Sequence, residues 1–315
     1  MSYILLLIGF VLLIKGADYF VEGSASLAKK LKIPSIIIGL TIVAMGTSAP
    51  EAAVSISASI KGSNGIVLGN VIGSNIFNLA VVIGICAMIK PIPVSKETLK
   101  SEYPLSVFAL LVMAFMSLDM LIFNRAENVI GRADGIILLV FMAIFIISQV
   151  KNALKSRDNG QQEEIKTLSP IMMAVFIIGG IAAVVYGGDM VVNSASDIAR
   201  SFGVSDNLIG LTIVAIGTSL PELVTSLVAA KKGENDLALG NVIGSNIFNI
   251  FFIIGMTAAI KPVAVGFESL FDMLWLFIIS FITYLFAVRD KKIGRWQGAL
   301  MVLMYIAFTV FIMVR

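Results

Sequence analysis

Long apolar segments alternate with short polar or glycine-rich breaks along almost the whole chain. Each segment is close to or above the ~20 residues that an α-helix needs to cross the hydrocarbon core of a bilayer. Ten segments can be marked, at residues 3–22, 34–60, 65–89, 103–123, 131–150, 170–192, 206–230, 236–260, 267–288 and 294–314. The pattern predicts an all-α integral membrane protein with ten transmembrane helices.

The longest polar stretch, residues 151–169, separates five segments from five. Its sequence, KNALKSRDNGQQEEIKTLS, shows no sign of a folded domain, so we interpret it as a cytoplasmic linker. We therefore predict a first five-helix repeat at residues 1–150 and a second at residues 170–315. The first apolar segment lacks a basic leader and a convincing cleavage site, so we expect it to be retained as a helix.

The two halves are related by an internal repeat. Residues 39–84 align without a gap with residues 210–255 at a constant offset of 171 residues, and 29 of the 46 aligned residues are identical. Asp18 before the first copy matches Asp189 before the second. Because each half holds an odd number of helices, the second half must enter the membrane from the opposite side. The sequence thus predicts two inverted-topology repeats.

The basic residues favour one orientation of the chain. If the N-terminus is outside, roughly 16 of the lysines and arginines fall on the inner side of the membrane and roughly 6 on the outer side. This asymmetry is what the positive-inside rule describes. We expect a multi-pass protein of the cell (plasma) membrane with both termini extracellular.

Composition excludes several classes of function. The chain is 58% hydrophobic and 14% charged, with a mean hydropathy of +0.98, and its net charge of +3 gives no indication of a nucleic-acid partner. Histidine is absent, which excludes a Ser-His or Cys-His nucleophile and an imidazole metal site. We therefore expect no enzyme activity and no cofactor. The expected partner is the lipid bilayer, with the protein functional as a monomer.

Each copy of the repeat carries one glutamate directly after a proline, in the middle of an apolar segment. These residues are Glu51 and Glu222. A bare carboxylate at the centre of a bilayer costs about 2.5–3.5 kcal/mol on insertion scales, so each needs a cation, a proton or a polar partner. The alternative is a structural glutamate that stays protonated and caps a neighbouring helix. Two symmetric copies favour a functional role over that alternative.

The prolines suggest where ion ligands come from. Pro50 and Pro221 cannot donate to the carbonyl group four residues earlier, and a proline kink is expected to loosen the neighbouring carbonyls. Carbonyl and carboxylate oxygens are hard ligands that suit Ca²⁺ or Na⁺. The carbonyls expected to become available are those of Ala44, Thr47, Ala215 and Thr218.

A second motif, GNVIGSNIFN, occurs at residues 69–78 and again at residues 240–249. Its glycines allow helices to approach closely. Its serines and asparagines supply neutral oxygens: Ser74, Asn75 and Asn78 in the first copy, and Ser245, Asn246 and Asn249 in the second. For Asn75 and Asn246, ligation and interhelical hydrogen bonding are equally good interpretations. For the other two asparagines we favour ligation.

The pairing of GTSAPE or GTSLPE with GNVIGSNIFN resembles the α-repeats of the sodium/calcium exchanger family, within the cation/calcium antiporter superfamily. The resemblance covers both repeats and nearly the whole chain, in the form of a prokaryotic-type exchanger. It implies two inverted five-helix halves, with four ion sites between the second, third, seventh and eighth helices. The implied activity is exchange of Na⁺ for Ca²⁺ by alternating access.

The resemblance also implies a ligand set. Ca²⁺ would be bound by Glu51, Glu222 and the carbonyls of Thr47 and Thr218. The Na⁺ sites would share the glutamates and add further groups, namely Ser48, Ser74, Ser219, Ser245 and the carbonyls of Ala44 and Ala215. Asn78 and Asn249 would line the middle of the cluster.

The stoichiometry and the coupled ion remain open in the sequence. The family's usual three Na⁺ per Ca²⁺ would make transport electrogenic, since the loaded site would carry a net positive charge. A Ca²⁺/H⁺ antiporter would use the same glutamates as proton carriers, but that branch typically places its acidic residue in a different motif. A K⁺-dependent Na⁺/Ca²⁺ exchanger typically has aspartate at the position of Asn249, so the amide argues against K⁺. A passive channel would gain nothing from an inverted repeat.

Overall fold

The computed structural model describes residues 2–124, 126–158, 168–203 and 215–314. In chain order the helices are α1 (Ser2–Leu31), α2 (Ser35–Thr47), α3 (Ala49–Lys61), α4 (Asn64–Ile89), α5 (Thr98–Met116), α6 (Asp119–Phe123), α7 (Arg132–Asp158), α8 (Pro170–Ser201), α9 (Ala215–Gly217), α10 (Leu220–Lys232), α11 (Asn235–Ile260), α12 (Phe267–Asp290) and α13 (Arg295–Val314). Four short strands are β1 (Ile92–Pro93), β2 (Val129–Ile130), β3 (Val263–Ala264) and β4 (Lys292–Ile293).

Eight of the described helices are long and apolar enough to cross a membrane, and α2 with α3 gives a ninth span if the two are counted together across a 49° bend. Large apolar side chains such as Leu7, Ile178 and Leu303 are 59–69% exposed on these helices, as a lipid environment requires. The protein is therefore an all-α, multi-pass membrane protein, as the apolar pattern predicted. The predicted span at residues 206–230 is described only from residue 215, so the count of ten stays a prediction.

Several helices are longer than the apolar segments that predicted them. Helix α1 continues past residue 22 to Leu31, and α8 continues past residue 192 to Ser201. Hydropathy marks where lipid surrounds a helix, whereas serine, alanine and lysine beyond that point still permit helical backbone. Helix α7 likewise extends into the predicted linker as far as Asp158. Residues 159–167 of that linker lie outside the described residues.

Contacts between Cα atoms divide the chain into two units. The first unit comprises Met1–Pro50 and Ser148–Val242, and the second comprises Glu51–Ile147 and Ile243–Arg315. Each unit therefore takes residues from both halves of the sequence. The boundaries at residues 150 and 170 describe the repeat along the chain, and as domain boundaries they stay a prediction.

In the first unit, α1 and α8 pack against each other through glycines. A Cβ atom on Gly16 would lie 2.7 Å from the Cβ of Ala183, and one on Gly187 would lie 2.6 Å from the backbone nitrogen of Leu13. Such distances leave no room for any side chain, so glycine is what allows the two backbones to approach. Gly16 and Gly187 occupy equivalent positions in the two repeats, so both copies use the same device.

An ion pair joins α10 to α1 in the same unit. The Nζ atom of Lys232 lies 2.7 Å from Oδ1 of Asp18 and 3.6 Å from Oε2 of Glu22. The Lys232 ammonium also donates to the backbone carbonyl of Asp18 at 3.0 Å. These side chains are partly exposed, so the pairs contribute little to stability, roughly 0–1 kcal/mol each.

In the second unit, the short strands pair between the repeats. Strand β1 is antiparallel to β4, with Ile92 opposite Ile293, and β2 is antiparallel to β3, with Ile130 opposite Val263. Strands β1 and β3 are equivalent in the two repeats and directly follow α4 and α11. The strand after the motif helix of each repeat therefore pairs with the strand before the last helix of the other repeat.

The glycine packing predicts a difference between two adjacent positions on α8. A Cβ atom on Gly180 would lie 2.8 Å from the backbone of Phe20, whereas one on Gly179 would have nothing within 4 Å. We expect Gly180→Ala to destabilise the protein by about 1–3 kcal/mol through overpacking. Gly179→Ala should leave stability unchanged or slightly raised, because alanine favours the helix. Thermal unfolding of the detergent-purified proteins measures both, and equal melting temperatures for the two variants would contradict the packing.

Candidate functional site

The helices that carry the GNVIGSNIFN motifs are the most buried of the eight single-helix spans. In the most apolar 18-residue stretch of each helix, the buried share is 78% in α4 and 94% in α11, compared with 22–39% in the other six spans. Polar groups inside a membrane protein must find partners within the protein. The serines and asparagines of both motifs therefore lie where they can bind each other or an ion, away from lipid.

The helix breaks at the serine of each GTS motif. Helix α2 ends at Thr47 and α3 begins at Ala49, and the intervening Ser48 has φ −83° and ψ 9°. In the second repeat, Ser219 has φ −93° and ψ 7° directly before α10. We expected a proline kink within a continuous helix. The structure has a complete break instead, and each proline lies in the first turn of the next helix, where its missing N–H leaves no hydrogen bond unmade.

The break places each glutamate in the first turn of a helix. Glu51 and Glu222 are the third residues of α3 and α10, and both side chains are 0% exposed. The first N–H groups of a helix have no partner within the helix and give that end a partial positive charge. This stabilises a carboxylate by about 0.3–1 kcal/mol, up to ~2 when partly buried. The stabilisation is smaller than the cost of burying the charge, so each glutamate still needs a cation, a proton or a polar partner.

In the first unit, a residue of one repeat binds the glutamate of the other. The Ser48 hydroxyl donates to Oε1 of Glu222 at 2.7 Å, and both side chains are fully buried. The N–H of Ser48 donates to the Ala44 carbonyl at 3.0 Å. The Thr47 hydroxyl lies 3.3 Å from the same oxygen, so both lone pairs of the Ala44 carbonyl have a hydrogen-bond donor within reach.

The Thr47 hydroxyl is engaged in hydrogen bonds. It lies 3.1 Å from the Val43 carbonyl and 3.0 Å from Oδ1 of Asn241. The group of this residue that the family resemblance assigns to an ion is its backbone carbonyl. Its counterpart Thr218 is half-buried.

A serine–asparagine hydrogen bond that the sequence motifs do not predict occurs at equivalent positions in both repeats. Asn70 donates to the Ser55 hydroxyl at 2.8 Å, and Asn241 donates to the Ser226 hydroxyl at 2.9 Å. Asn70 also donates to the backbone carbonyl of Glu51 at 3.1 Å. These bonds join each glutamate-bearing helix to the motif helix that follows it. The sequence does contain a signal for this bond, because the serine and the asparagine are each the same residue type in both copies of the repeat.

In the second unit, the asparagines of the two motifs bind each other across the repeats. Asn78 donates to Oδ1 of Asn246 at 3.1 Å, and Asn249 donates to Oδ1 of Asn75 at 2.9 Å. The Oδ1 atoms of Asn78 and Asn249 are buried and have no hydrogen-bond partner among the described residues. Buried acceptors without a partner are rare in native structures, and an oxygen left in this way is suited to a cation.

Both of these asparagines begin a π-helical segment. The segments are Asn78–Ile83 in α4 and Asn249–Ile254 in α11. Two more π-helical segments lie outside these motifs, Gly39–Val43 in α2 just before the GTS break and Thr98–Glu102 at the start of α5. The π-helical turns are rare and occur frequently at functional sites, where they change the direction of side chains.

The predicted site residues fall into two groups. The first unit holds Ala44, Thr47, Ser48, Ala215, Thr218, Ser219 and Glu222, and the second holds Glu51, Ser74, Asn78, Ser245 and Asn249. The side chains of Ser74, Ser219 and Ser245 are buried like the glutamates. Each unit thus contains one of the two carboxylates. The described residues contain no group of three or more Asp, Glu or Cys side chains placed so that they could hold a metal ion.

Comparison with known proteins agrees with the motifs. The family model described as sodium/calcium exchanger protein matches residues 1–151 and 172–314. The putative antiporter CaxA of Alkalimonas amylolytica is 40% identical over 316 residues, covering 97% of this chain and 96% of that protein. The sodium/calcium exchanger MaX1 of Methanosarcina acetivorans is 35% identical, covering 98% and 97%.

The fold also matches a solved exchanger. A structure of the sodium-calcium exchanger NCX_Mj, soaked with Na⁺ and Sr²⁺, matches with a TM-score of 0.85 and 35% sequence identity, covering 98% of this chain and 97% of that chain. The family consists of transporters, so the expectation that the protein is not an enzyme is confirmed. On this evidence the chain belongs to the sodium/calcium exchanger family.

Proposed function

We propose that the protein is a secondary active antiporter that exchanges Na⁺ for Ca²⁺ across the membrane by alternating access. The observation that carries the proposal is the pair of equivalent glutamates, Glu51 and Glu222. Each is fully buried in the first turn of a helix that begins after an interruption of the helical conformation. Relatives named as a sodium/calcium exchanger and a putative antiporter support it.

The ligands proposed for Ca²⁺ are the two glutamates and the carbonyls of Thr47 and Thr218. Na⁺ uses the same glutamates together with further oxygens, from Ser48, Ser74, Ser219, Ser245 and the carbonyls of Ala44 and Ala215, with Asn78 and Asn249 in the middle. The family resemblance supports this set, and so do the burial of its side chains and the preference of Ca²⁺ and Na⁺ for oxygen ligands.

The charges of this set give antiport a physical basis. Two carboxylates carry a charge of −2, which one Ca²⁺ neutralises. Several Na⁺ ions that use the same oxygens exclude Ca²⁺, and mutual exclusion is what antiport requires. Three Na⁺ would leave a net charge of +1, so transport would respond to membrane potential by about 2.3 kcal/mol per 100 mV for each charge moved.

We further propose that exchange is independent of K⁺ and that one copy of the chain is sufficient. The amide of Asn249 supports K⁺ independence, because it leaves Glu51 and Glu222 as the acidic groups of the proposed set. A third carboxylate would add a negative charge and favour an additional monovalent cation or a bound proton.

The glutamates give the first test of this function. In proteoliposomes loaded with Na⁺ and diluted into Na⁺-free buffer, the unmodified protein should accumulate ⁴⁵Ca²⁺. Glu51→Gln and Glu222→Gln should each abolish the uptake, since each removes half of the charge that binds Ca²⁺. Glu127→Gln, at an exposed position, serves as the matched control. Near-normal uptake by either buried variant would contradict the shared site.

The driving ion gives a second test. An outward Na⁺ gradient should drive Ca²⁺ uptake with choline as the only other monovalent cation, and an inside-positive potential should accelerate it if three Na⁺ leave per Ca²⁺. Asn249→Asp should add pH sensitivity or weaken the Na⁺ dependence. An absolute requirement for K⁺ would indicate the potassium-dependent mechanism. Uptake driven by a pH gradient without Na⁺ would indicate a Ca²⁺/H⁺ antiporter.

The proposed orientation places both termini outside the plasma membrane and the linker in the cytoplasm. In a Cys86→Ala background, we expect a cysteine introduced by Lys61→Cys to react with an impermeant maleimide in intact cells. One introduced in the linker by Gln162→Cys should react only after permeabilisation. The reverse pattern would invert the topology, and labelling of both in intact cells would contradict it.

A further inference from the structure

The sequence leaves Asn75 and Asn246 open between ligation and interhelical hydrogen bonding, and the hydrogen bonds of the second unit favour a third role. Each donates its Nδ2 to the backbone carbonyl of the other at 3.4 Å. Each accepts, at Oδ1, the bond from the amide of Asn249 or Asn78 described above. All four side chains are at most 2% exposed. Together they form a closed set, which we call the asparagine cluster.

The backbone carbonyls fix the orientation of every amide in this cluster. A carbonyl oxygen accepts and never donates, so Asn246 must turn its NH₂ group towards the carbonyl of Asn75. Its Oδ1 then faces Asn78, which can bond to it only by presenting its own NH₂ group. The oxygen of Asn78 is therefore turned away from the cluster. In the same way, Asn75 turns its NH₂ group towards the carbonyl of Asn246, and its Oδ1 accepts from the NH₂ group of Asn249. The oxygen of Asn249 is therefore also turned away from the cluster.

The two oxygens turned away are the two that have no hydrogen-bond partner. Oδ1 of Asn78 and Oδ1 of Asn249 are both buried without one among the described residues. The exchange of O for NH₂ in either amide would place two donors at that position, and donors repel a cation. The final torsion of an asparagine is broad and roughly two-fold, so the side chain alone does not choose between the two orientations.

We propose that Asn75 and Asn246 are positioning residues that hold the oxygens of Asn249 and Asn78 towards a bound Na⁺ or Ca²⁺. The proposal rests on the proposed function, since it takes Asn78 and Asn249 to be cation ligands. Each positioning residue acts on an asparagine of the other repeat. Asn246 of the second repeat orients Asn78 of the first, and Asn75 of the first orients Asn249 of the second. Their own amide oxygens are engaged within the cluster.

The crossed arrangement can be tested with double-mutant cycles of ion binding. Leucine is nearly isosteric with asparagine and can neither donate nor accept. We expect Asn246→Leu and Asn78→Leu each to raise the apparent Kd for Na⁺ or Ca²⁺ roughly tenfold, the order of effect of losing one hydrogen bond to a charged group. The double variant should bind no more weakly than Asn78→Leu alone, because Asn246 acts through Asn78.

The matched control is the pair Asn246→Leu and Asn249→Leu, on one helix and only three residues apart. Their effects on the apparent Kd should multiply, whereas those of Asn75→Leu and Asn249→Leu should not. Ion-dependent shifts in the melting temperature of detergent-purified protein give the apparent Kd without any transport step. Melting in ion-free buffer shows separately whether each variant is folded and how far its packing is weakened.

The outcomes separate this inference from the function on which it rests. Coupling of Asn246 with Asn78 and of Asn75 with Asn249 supports positioning. Multiplicative effects on Kd in both crossed pairs would overturn it. It would also be overturned if Asn75→Leu and Asn246→Leu lowered the melting temperature in ion-free buffer but left the Kd unchanged, because that result indicates a role in packing only. If the unmodified protein bound neither ion, the proposed function would fail, and the positioning role with it.

Discussion

The structure depends on the cost of placing polar groups at membrane depth. A membrane helix satisfies its own backbone, but a carboxylate or an amide within it has no water to bind. Here the helical conformation is interrupted at Ser48 and at Ser219, so that each glutamate follows at the start of a new helix. The partial positive charge at the start of that helix provides part of the compensation. The helix break, the proline and the glutamate are thus one arrangement, and it occurs twice.

The repeat extends this arrangement to the contacts between side chains. The bond from Asn70 to Ser55 recurs as the bond from Asn241 to Ser226. In these pairs, and in the asparagine cluster, equivalent residues of the two halves make equivalent bonds. Asn75 and Asn246 bind each other directly, as expected for a pair related by a local two-fold axis. An internal symmetry visible in the sequence is therefore also a symmetry of hydrogen bonding among buried polar groups.

The sequence predicted the membrane class, eight of the span positions, with a ninth if α2 and α3 are counted as one span, and the burial of both glutamates. These follow from the cost of charge in lipid and from the length of apolar runs. It did not predict that Ser48 ends a helix, since a proline two residues later is compatible with either a kink or a break. It did not give the roles of Asn75 and Asn246, because identical neighbouring amides differ only in the partners that tertiary structure gives them. The sequence also did not predict helix ends such as Leu31, because hydropathy gives no information on where a helix ends once it has left the lipid.

The cross-paired strands have a consequence for how the protein is made. Strand β1, at residues 92–93, pairs with β4 at residues 292–293, near the end of the chain. Contacts between residues so distant in sequence cannot form until most of the polypeptide has been synthesised, and contacts of this kind slow folding. The first half of the chain must therefore remain in the membrane with this strand unpaired while the second half is inserted. The pairing of β1 with β4 thus forms only after residues 292–293 have been made.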